Sequence, residues 1–281
     1  LLEELFLWML DPCLWYLRRE CRSPVPTTDI MLAVAVMRLI ESHLDIWIDV
    51  PEQPSTAPEP KKGLEILQGV FFFSMIWGVG ATVDAAGREK FDAFFRQLLA
   101  KEVPTILTTV PGASQPIIPA NLKVTKGPPE KGTCFECLFS IEKSCSWVGW
   151  MSTVPPYAVP KGATFNDIFV DTMDTVQAGY LVDTLVNHGK PLLVTGNTGT
   201  GKTILVRSRI LNHLNKEVYQ SIFLNFSAQT SARVSQSIID NQLDKRRKGV
   251  FGPPFGKKTV IFVDDLNMPA LQTYGDQPPI E

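Results

Sequence analysis

The sequence predicts an α/β fold, a parallel-sheet domain preceded by an all-α unit, and three observations carry that prediction. Apolar residues recur at helical spacing through the first third of the chain. Strand-like and helix-like segments alternate from Pro191 to Asp265. A glycine loop joins the first strong strand of that alternation to the helix behind it.

Residues 1–103 read as helices throughout. Leu1 to Leu10 is one helix, Asp11-Pro12 offers an N-cap with proline at the first helical position, and Cys13 to Cys21 reads as a second. Pro24-Val25-Pro26 breaks the pattern. Thr27-Thr28-Asp29 then caps a long helix in which Met31, Leu32, Val36, Leu39 and Ile40 fall near the 3.6-residue period, ending around Trp47. The run from Pro51 to Pro60 is a surface loop by composition, and helices from Gly63 to Val79 and from Arg88 to Lys101 complete the unit. Val70 to Ala81 is the longest apolar run and falls short of the roughly 20 residues that span a bilayer, so it reads as a buried core helix.

Residues 104–160 form a junction in which proline becomes frequent and periodicity fades, with short strands predicted at Cys134 to Phe139 and Ser146 to Met151. Residues 161–281 form the α/β part. Its strands are predicted at Pro191 to Thr195, Ser221 to Phe226 and Thr259 to Asp265, and its helices at 203–215 and Ala232 to Leu243.

Composition bounds the function. The chain has 281 residues, 44% hydrophobic and 20% charged, enough for two domains with real cores. A formal net charge of -2 argues against bulk attraction to nucleic acid or to an acidic membrane surface. Five scattered cysteines are an odd set that fits a reducing compartment better than a disulfide framework. Cys134 and Cys137 form a C-x-x-C with no second pair, so they read as plain thiols rather than zinc ligands. His43, His188 and His213 are isolated, and Trp47, Trp77, Trp147 and Trp150 read as core anchors. The first residues carry no initiator methionine and look like the interior of a helix, as expected of a piece of something larger.

The chemistry lies in two motifs. Gly196-Asn197-Thr198-Gly199-Thr200-Gly201-Lys202-Thr203 fits G-x-x-x-x-G-K-[ST] at every fixed position and follows a predicted strand, the context of a P-loop NTPase. Its glycines let backbone N–H groups turn toward a phosphate, and the helix behind adds the positive end of its dipole. Lys202 would hold outer phosphates and the Thr203 hydroxyl would bind Mg²⁺. A glycine-rich turn with no ligand is the bland alternative. The second motif is Thr259-Val260-Ile261-Phe262-Val263-Asp264-Asp265, an apolar strand ending in two carboxylates. Asp264 is the candidate Mg²⁺ partner through water, and Asp265 the candidate for polarising an attacking water.

Longer stretches carry a family resemblance. "VIFVDDLNMPALQTYGDQPPIE", "LNFSAQTSA" and "LDKRRKGVFGPPFGKK" resemble the third AAA+ module of axonemal dynein heavy chains. "LFLWMLDPCLWYLRRECRSPVPTTDIMLAVAVMRLIESHL" and "FFFSMIWGVGATVDAAGREKFDAFFRQLL" look like the helical lid of the second. The resemblance implies a minus-end-directed microtubule motor of cilia and flagella, an ATPase whose six modules form a ring. There the first module carries the main hydrolysis and the third site regulates. It also implies ATP or ADP with Mg²⁺, contacts with the other modules of the same heavy chain, microtubules reached through a stalk, and intermediate and light chains, in the cytoplasm on the axonemal cytoskeleton. Nucleic acid and membrane are not among the implied partners.

By the same resemblance "IFVDTMDT" borders an adenine pocket, which adds Phe169 and Val170 as base contacts. Two positions depart from the pattern: Asp265 stands where many AAA+ proteins have a glutamate one methylene longer, and Gln177 where relatives often have arginine. The later strand with its water-sensing residue, the module's own lid and a neighbour's arginine finger are not within these residues, so little turnover is expected of them alone. A nucleotide-binding module that never hydrolyses and a free-standing P-loop enzyme are the rival readings. The basic stretch Lys245-Arg246-Arg247-Lys248 with Lys257-Lys258 reads as a solvated hairpin or a contact for an acidic neighbouring module, in preference to a nucleic-acid site.

Overall fold

The computed structural model describes residues 1–48, 60–142, 145–157 and 170–280. The chain divides into two compact units, Leu1–Tyr180 and Leu181–Glu281. The boundary falls within one helix.

The first unit is built on four helices: α1 (Leu2–Glu20), α2 (Asp29–Ile48), α3 (Pro60–Gly78) and α4 (Ala85–Leu99). The two helices expected before and after Asp11-Pro12 are one. Pro12 sits inside α1, where its missing N–H leaves one helical bond unmade, and the helix continues because Leu5, Trp8, Met9, Cys13 and Leu17 bury a single stripe across the proline. Asp84 caps α4 by accepting from the Gly87 N–H at 2.8 Å.

α3 runs through the middle of this unit. The stretch Lys61–Thr82 is long and apolar enough to cross a membrane, which the twelve-residue apolar run in the sequence did not suggest, and 78% of its most apolar window is buried inside the protein. Phe71, Phe72 and Phe73 are fully buried there, with Phe71 edge-on to Phe6 at 5.1 Å and Phe72 edge-on to Phe95 at 6.3 Å. α2 crosses α3 closely, since a Cβ on Gly78 would lie 2.9 Å from the Val36 backbone nitrogen.

The junction contains α5 (Thr105–Thr109) and a small antiparallel pair, β1 (Cys137–Ser140) and β2 (Ser146–Gly149). The first expected strand begins late because Cys134–Glu136 is a 3₁₀ turn held by a capping box from Thr133 and Glu136. The rest of the junction is fixed by side chains. Arg96 on α4 bonds Asp92 through Nε and donates to the carbonyls of Pro129 (2.8 Å) and Gly132 (2.9 Å). Gln68 on α3 donates to the Lys123 carbonyl and accepts from the Thr125 N–H. Trp147 and Trp150 are anchors as expected, donating to the carbonyls of Lys126 and Phe135. Trp77 is buried as well, and the side chain of Trp47 lies outside what the structure describes.

α6 (Met173–Asn187) carries the unit boundary. In the first unit Gln177 is buried and donates to the Phe135 carbonyl at 2.9 Å, so the residue found in place of arginine makes a neutral contact where a guanidinium would have been buried. His43 and Tyr180 bond side chain to side chain at 3.0 Å.

The second unit is a three-layer sandwich around two parallel strands, β3 (Tyr219–Asn225) and β6 (Lys258–Asp264), paired in register from Tyr219↔Lys258 to Asn225↔Asp264. One face of this pair carries Phe223, Val260 and Phe262, which pack on Val182 of α6 and on Val206 and Ile210 of α7 (Lys202–Asn212). The other carries Ile222, Leu224 and Val263, covered by Ile238 and Ile239 of α8 (Ala232–Gln242). Period-two alternation in each strand feeds both layers. Between α8 and β6 stands a hairpin, β4 (Asp244–Arg247) and β5 (Val250–Gly252).

Pro191 to Thr195, expected as a strand, makes no ladder. Among the described residues no strand pairs with it, so its backbone has no ladder partner, and its side chains are exposed, Leu193 to 65%.

Candidate functional site

The site residues of the second unit come from the two ends of one short path. β6 delivers its carboxylates at the carboxyl end of the parallel pair, the edge at which open α/β sheets place their ligands. α7 begins at the glycine loop. Gly201 is its N-cap with φ 79°, a left-handed conformation that favours glycine, and no side chain caps the helix. The free N–H groups of the first turn are therefore open toward the loop, the arrangement that receives a phosphate at a helix start.

Within that loop the Lys202 ammonium folds back on its own backbone. Its Nζ donates to the carbonyls of Gly196 at 2.9 Å and Asn197 at 2.6 Å. Thr200 Oγ1 closes the turn by donating to the Asn197 carbonyl at 2.9 Å. The loop is exposed from Gly196 to Gly201, while Lys202 and Thr203 are half-buried.

The two motifs meet at one contact. Thr203 Oγ1 donates to Asp264 Oδ1 at 3.0 Å, so a hydroxyl and a carboxylate from different elements stand side by side. Hard oxygen donors of this kind, at the foot of a phosphate loop, suit Mg²⁺. The same Asp264 oxygen accepts from the Asp265 N–H at 3.1 Å. Asp265 itself is left-handed, φ 52°, exposed, and accepts from the Met268 N–H at 2.9 Å. Aspartate is among the non-glycine residues that most often adopt that region, and here it forms the turn that leaves the strand.

α7 is held on its far side by Asp183 of α6, which accepts from Arg209 at 3.1 Å with His213 nearby at 3.9 Å. Burial raises the Asp183 carboxyl above its ordinary range, with Arg209 and then His213 opposing. The sequence did not single out this pair. A helical carboxylate and a helical arginine 26 residues apart leave no local pattern to read. Asn225 was also missed, although its pairing with Asp264 puts a polar residue at the same sheet edge.

Val170, in the first unit, is 55% exposed and lines a 460 Å³ groove with Met151, Val154, Pro156 and Tyr157. Phe169 lies outside the described residues. Cys134 is buried with its thiol pushed up by desolvation and by Asp92, and Cys21 is pushed up to about 11, first by burial; neither is a reactive thiolate at neutral pH.

Comparison with known families decides the rest. Residues 2–152 match the dynein heavy chain AAA lid domain, and residues 157–281 match the P-loop containing dynein motor region. The chain belongs to the axonemal dynein heavy chains. Dynein axonemal heavy chain 3 of Mus musculus is 40% identical over 288 residues, covering 100% of this chain and 7% of that protein. Dynein axonemal heavy chain 12 of Mus musculus is 38% identical (100% and 9%), and dynein axonemal heavy chain 1 of Homo sapiens 37% (99% and 6%). The chain thus spans less than a tenth of the length of these dyneins. It carries a dynein lid followed by a dynein P-loop region, in the order its helical and α/β parts indicate.

Proposed function

We propose that this chain contributes a regulatory ATP/ADP and Mg²⁺ site to the AAA+ ring of a longer axonemal dynein heavy chain, a minus-end-directed microtubule ATPase of the ciliary and flagellar axoneme. The domain reading that goes with it is residues 1–103 as the lid of one module, 104–160 as a junction and 161–281 as part of the next. Other modules of the same heavy chain would flank it, microtubules would be met through the stalk, and intermediate and light chains would belong to the complex.

The Thr203–Asp264 contact at 3.0 Å is the observation that supports the site most directly, because it joins the two motifs that Mg²⁺-dependent nucleotide binding requires. Bound nucleotide with Mg²⁺ would supply a polarised phosphoryl group. Around it the backbone from Gly196 to Gly201 would cradle phosphates, Lys202 would leave its own carbonyls for the outer phosphate oxygens, Thr203 and Asp264 would hold the metal, and Asp265 would orient water. Phe169 and Val170 remain the proposed base contacts.

A second reading has an observation of its own. Asp265 is exposed, sits in a left-handed turn and is one methylene shorter than glutamate, which favours a site that binds nucleotide as a clamp without hydrolysing it. Nucleotide stoichiometry of the complete heavy chain with and without Lys202→Ala tests the proposal. The variant should bind one nucleotide fewer per chain, and an unchanged stoichiometry refutes the site. Single-turnover hydrolysis at this site, compared with Asp265→Asn, then separates a cycling site from a clamp.

A further inference from the structure

The β4–β5 hairpin and the turn that follows it take no part in the nucleotide site. Residues 244–258 hold six cations against Asp244 alone, a net charge of +5 in a chain whose total is -2, which leaves -7 for the remainder. All four residues of β4 are exposed. Lys245 stands directly opposite Phe251 in the ladder, so cation and aromatic ring share one face.

Two of the cations are used internally. Arg246 donates to the Pro253 carbonyl and Lys257 to the Lys216 carbonyl, and both bonds fasten the arm to itself or to its base. Among the described residues Lys245, Arg247, Lys248 and Lys258 form no ion pair. Beyond β5, Pro253 and Pro254 stiffen a turn closed by the Lys257 N–H donating to the Pro254 carbonyl at 2.9 Å, and the tip of that turn is Phe255, 94% exposed. A rigid turn that holds a phenylalanine almost wholly in water, within a fifteen-residue segment of net charge +5, is a preorganised ligand for something else.

We propose that this hairpin and turn form a docking arm for an acidic protein surface with an apolar socket, located elsewhere in the same heavy chain. Charge sets the sign of the partner. Size sets its source: an arm of fifteen residues is too small for the roughly 800 Å² per partner of a stable bimolecular interface, whereas a partner on the same polypeptide is met at high effective concentration. A nucleic acid is disfavoured because the cations occupy one hairpin instead of tracking a groove, in a chain otherwise at -7 that would repel a polyanion.

The test is zero-length carbodiimide crosslinking of the full-length heavy chain, with lysine-to-carboxylate links located by mass spectrometry. Links from Lys245, Lys248 or Lys258 to an acidic segment outside residues 1–281 are expected, and Phe255→Ala, which keeps every lysine, should lower their yield about tenfold as loss of an aromatic anchor does. Arg247→Glu should lower it too. Both side chains face water, so neither change threatens the fold. The proposal is overturned if no such links form, if they stay within residues 1–281, or if both variants leave them unchanged. Retention of the heavy chain on immobilised poly(U), lost in Arg247→Glu with no crosslink to an acidic segment, would overturn it in favour of nucleic acid.

Discussion

Thr203 Oγ1 and Asp264 Oδ1 stand 3.0 Å apart, the first on the opening turn of α7 and the second on the last residue of β6. This bond joins two motifs distant in sequence. Replacing Thr203 with valine keeps the shape and removes the oxygen. Mg²⁺-dependent nucleotide affinity at this site should fall about tenfold or more, while affinity measured in EDTA should be the same for both proteins. Titration calorimetry with and without chelator measures this, and an equal loss in EDTA would show that the hydroxyl serves the fold instead of the metal.

Lys202 separates binding from stability. Its ammonium donates only to loop carbonyls and to Thr200 on an exposed surface, so Lys202→Ala should change resting stability by no more than about 0.5 kcal/mol. Any stabilisation by nucleotide at the proposed site should disappear. Thermal melts with and without ATP distinguish the two effects; a large drop without nucleotide would mean that the lysine holds the loop together.

Asp265 permits an unusually clean substitution. Asparagine tolerates the left-handed region as readily as aspartate, so Asp265→Asn leaves φ 52° unstrained and removes only the charge. Nucleotide affinity should be retained. Turnover at this site, where it occurs, should fall about a hundredfold, within the range typical of a positioned acid or base. Equal single-turnover rates in the two proteins would leave Asp265 as a turn residue and the site as a clamp.

Much of this was legible in the sequence because both motifs are local. The loop from Gly196 to Thr203 has fixed spacing, and the strand before Asp264 is a run of β-branched and aromatic residues whose alternation builds both layers of the second unit. What was hidden is non-local. Proline at position 12 reads as a helix start, yet α1 continues because the buried stripe on either side outweighs one lost bond. Pro191 to Thr195 has the composition of a strand, but a strand also needs a neighbour, and composition does not supply one. Outside the β1–β2 pair the junction has no period because Arg96, Gln68 and Trp147 satisfy its backbone in place of a ladder.

Arg96 shows how much rests on one such side chain. Its planar fork reaches Asp92 and two junction carbonyls together, and the point-like ammonium of lysine cannot do so. Arg96→Lys should cost about 1–3 kcal/mol through the carbonyls it leaves unpaired. Hydrogen exchange would show the loss as faster exchange around Pro129 to Gly132, and unchanged protection there would assign the junction's order to other contacts.

Gly69 tests the core of the first unit. It lies on α3 where a Cβ would overlap the ring of Phe139 from β1, and that ring is 2% exposed and edge-on to Trp147 at 5.6 Å, so it has little room to move. Gly69→Ala gains helix propensity in α3, worth about 1 kcal/mol at most, and forces β1 outward at a cost of about 1–3 kcal/mol. The net effect should be a lower Tm. Adding Phe139→Leu should recover part of the loss, because the smaller side chain makes room for the new methyl, and the two changes should couple when measured as a double-mutant cycle. Strict additivity would place the strain somewhere other than this contact, and a raised Tm for Gly69→Ala alone would show that β1 yields to the helix without penalty.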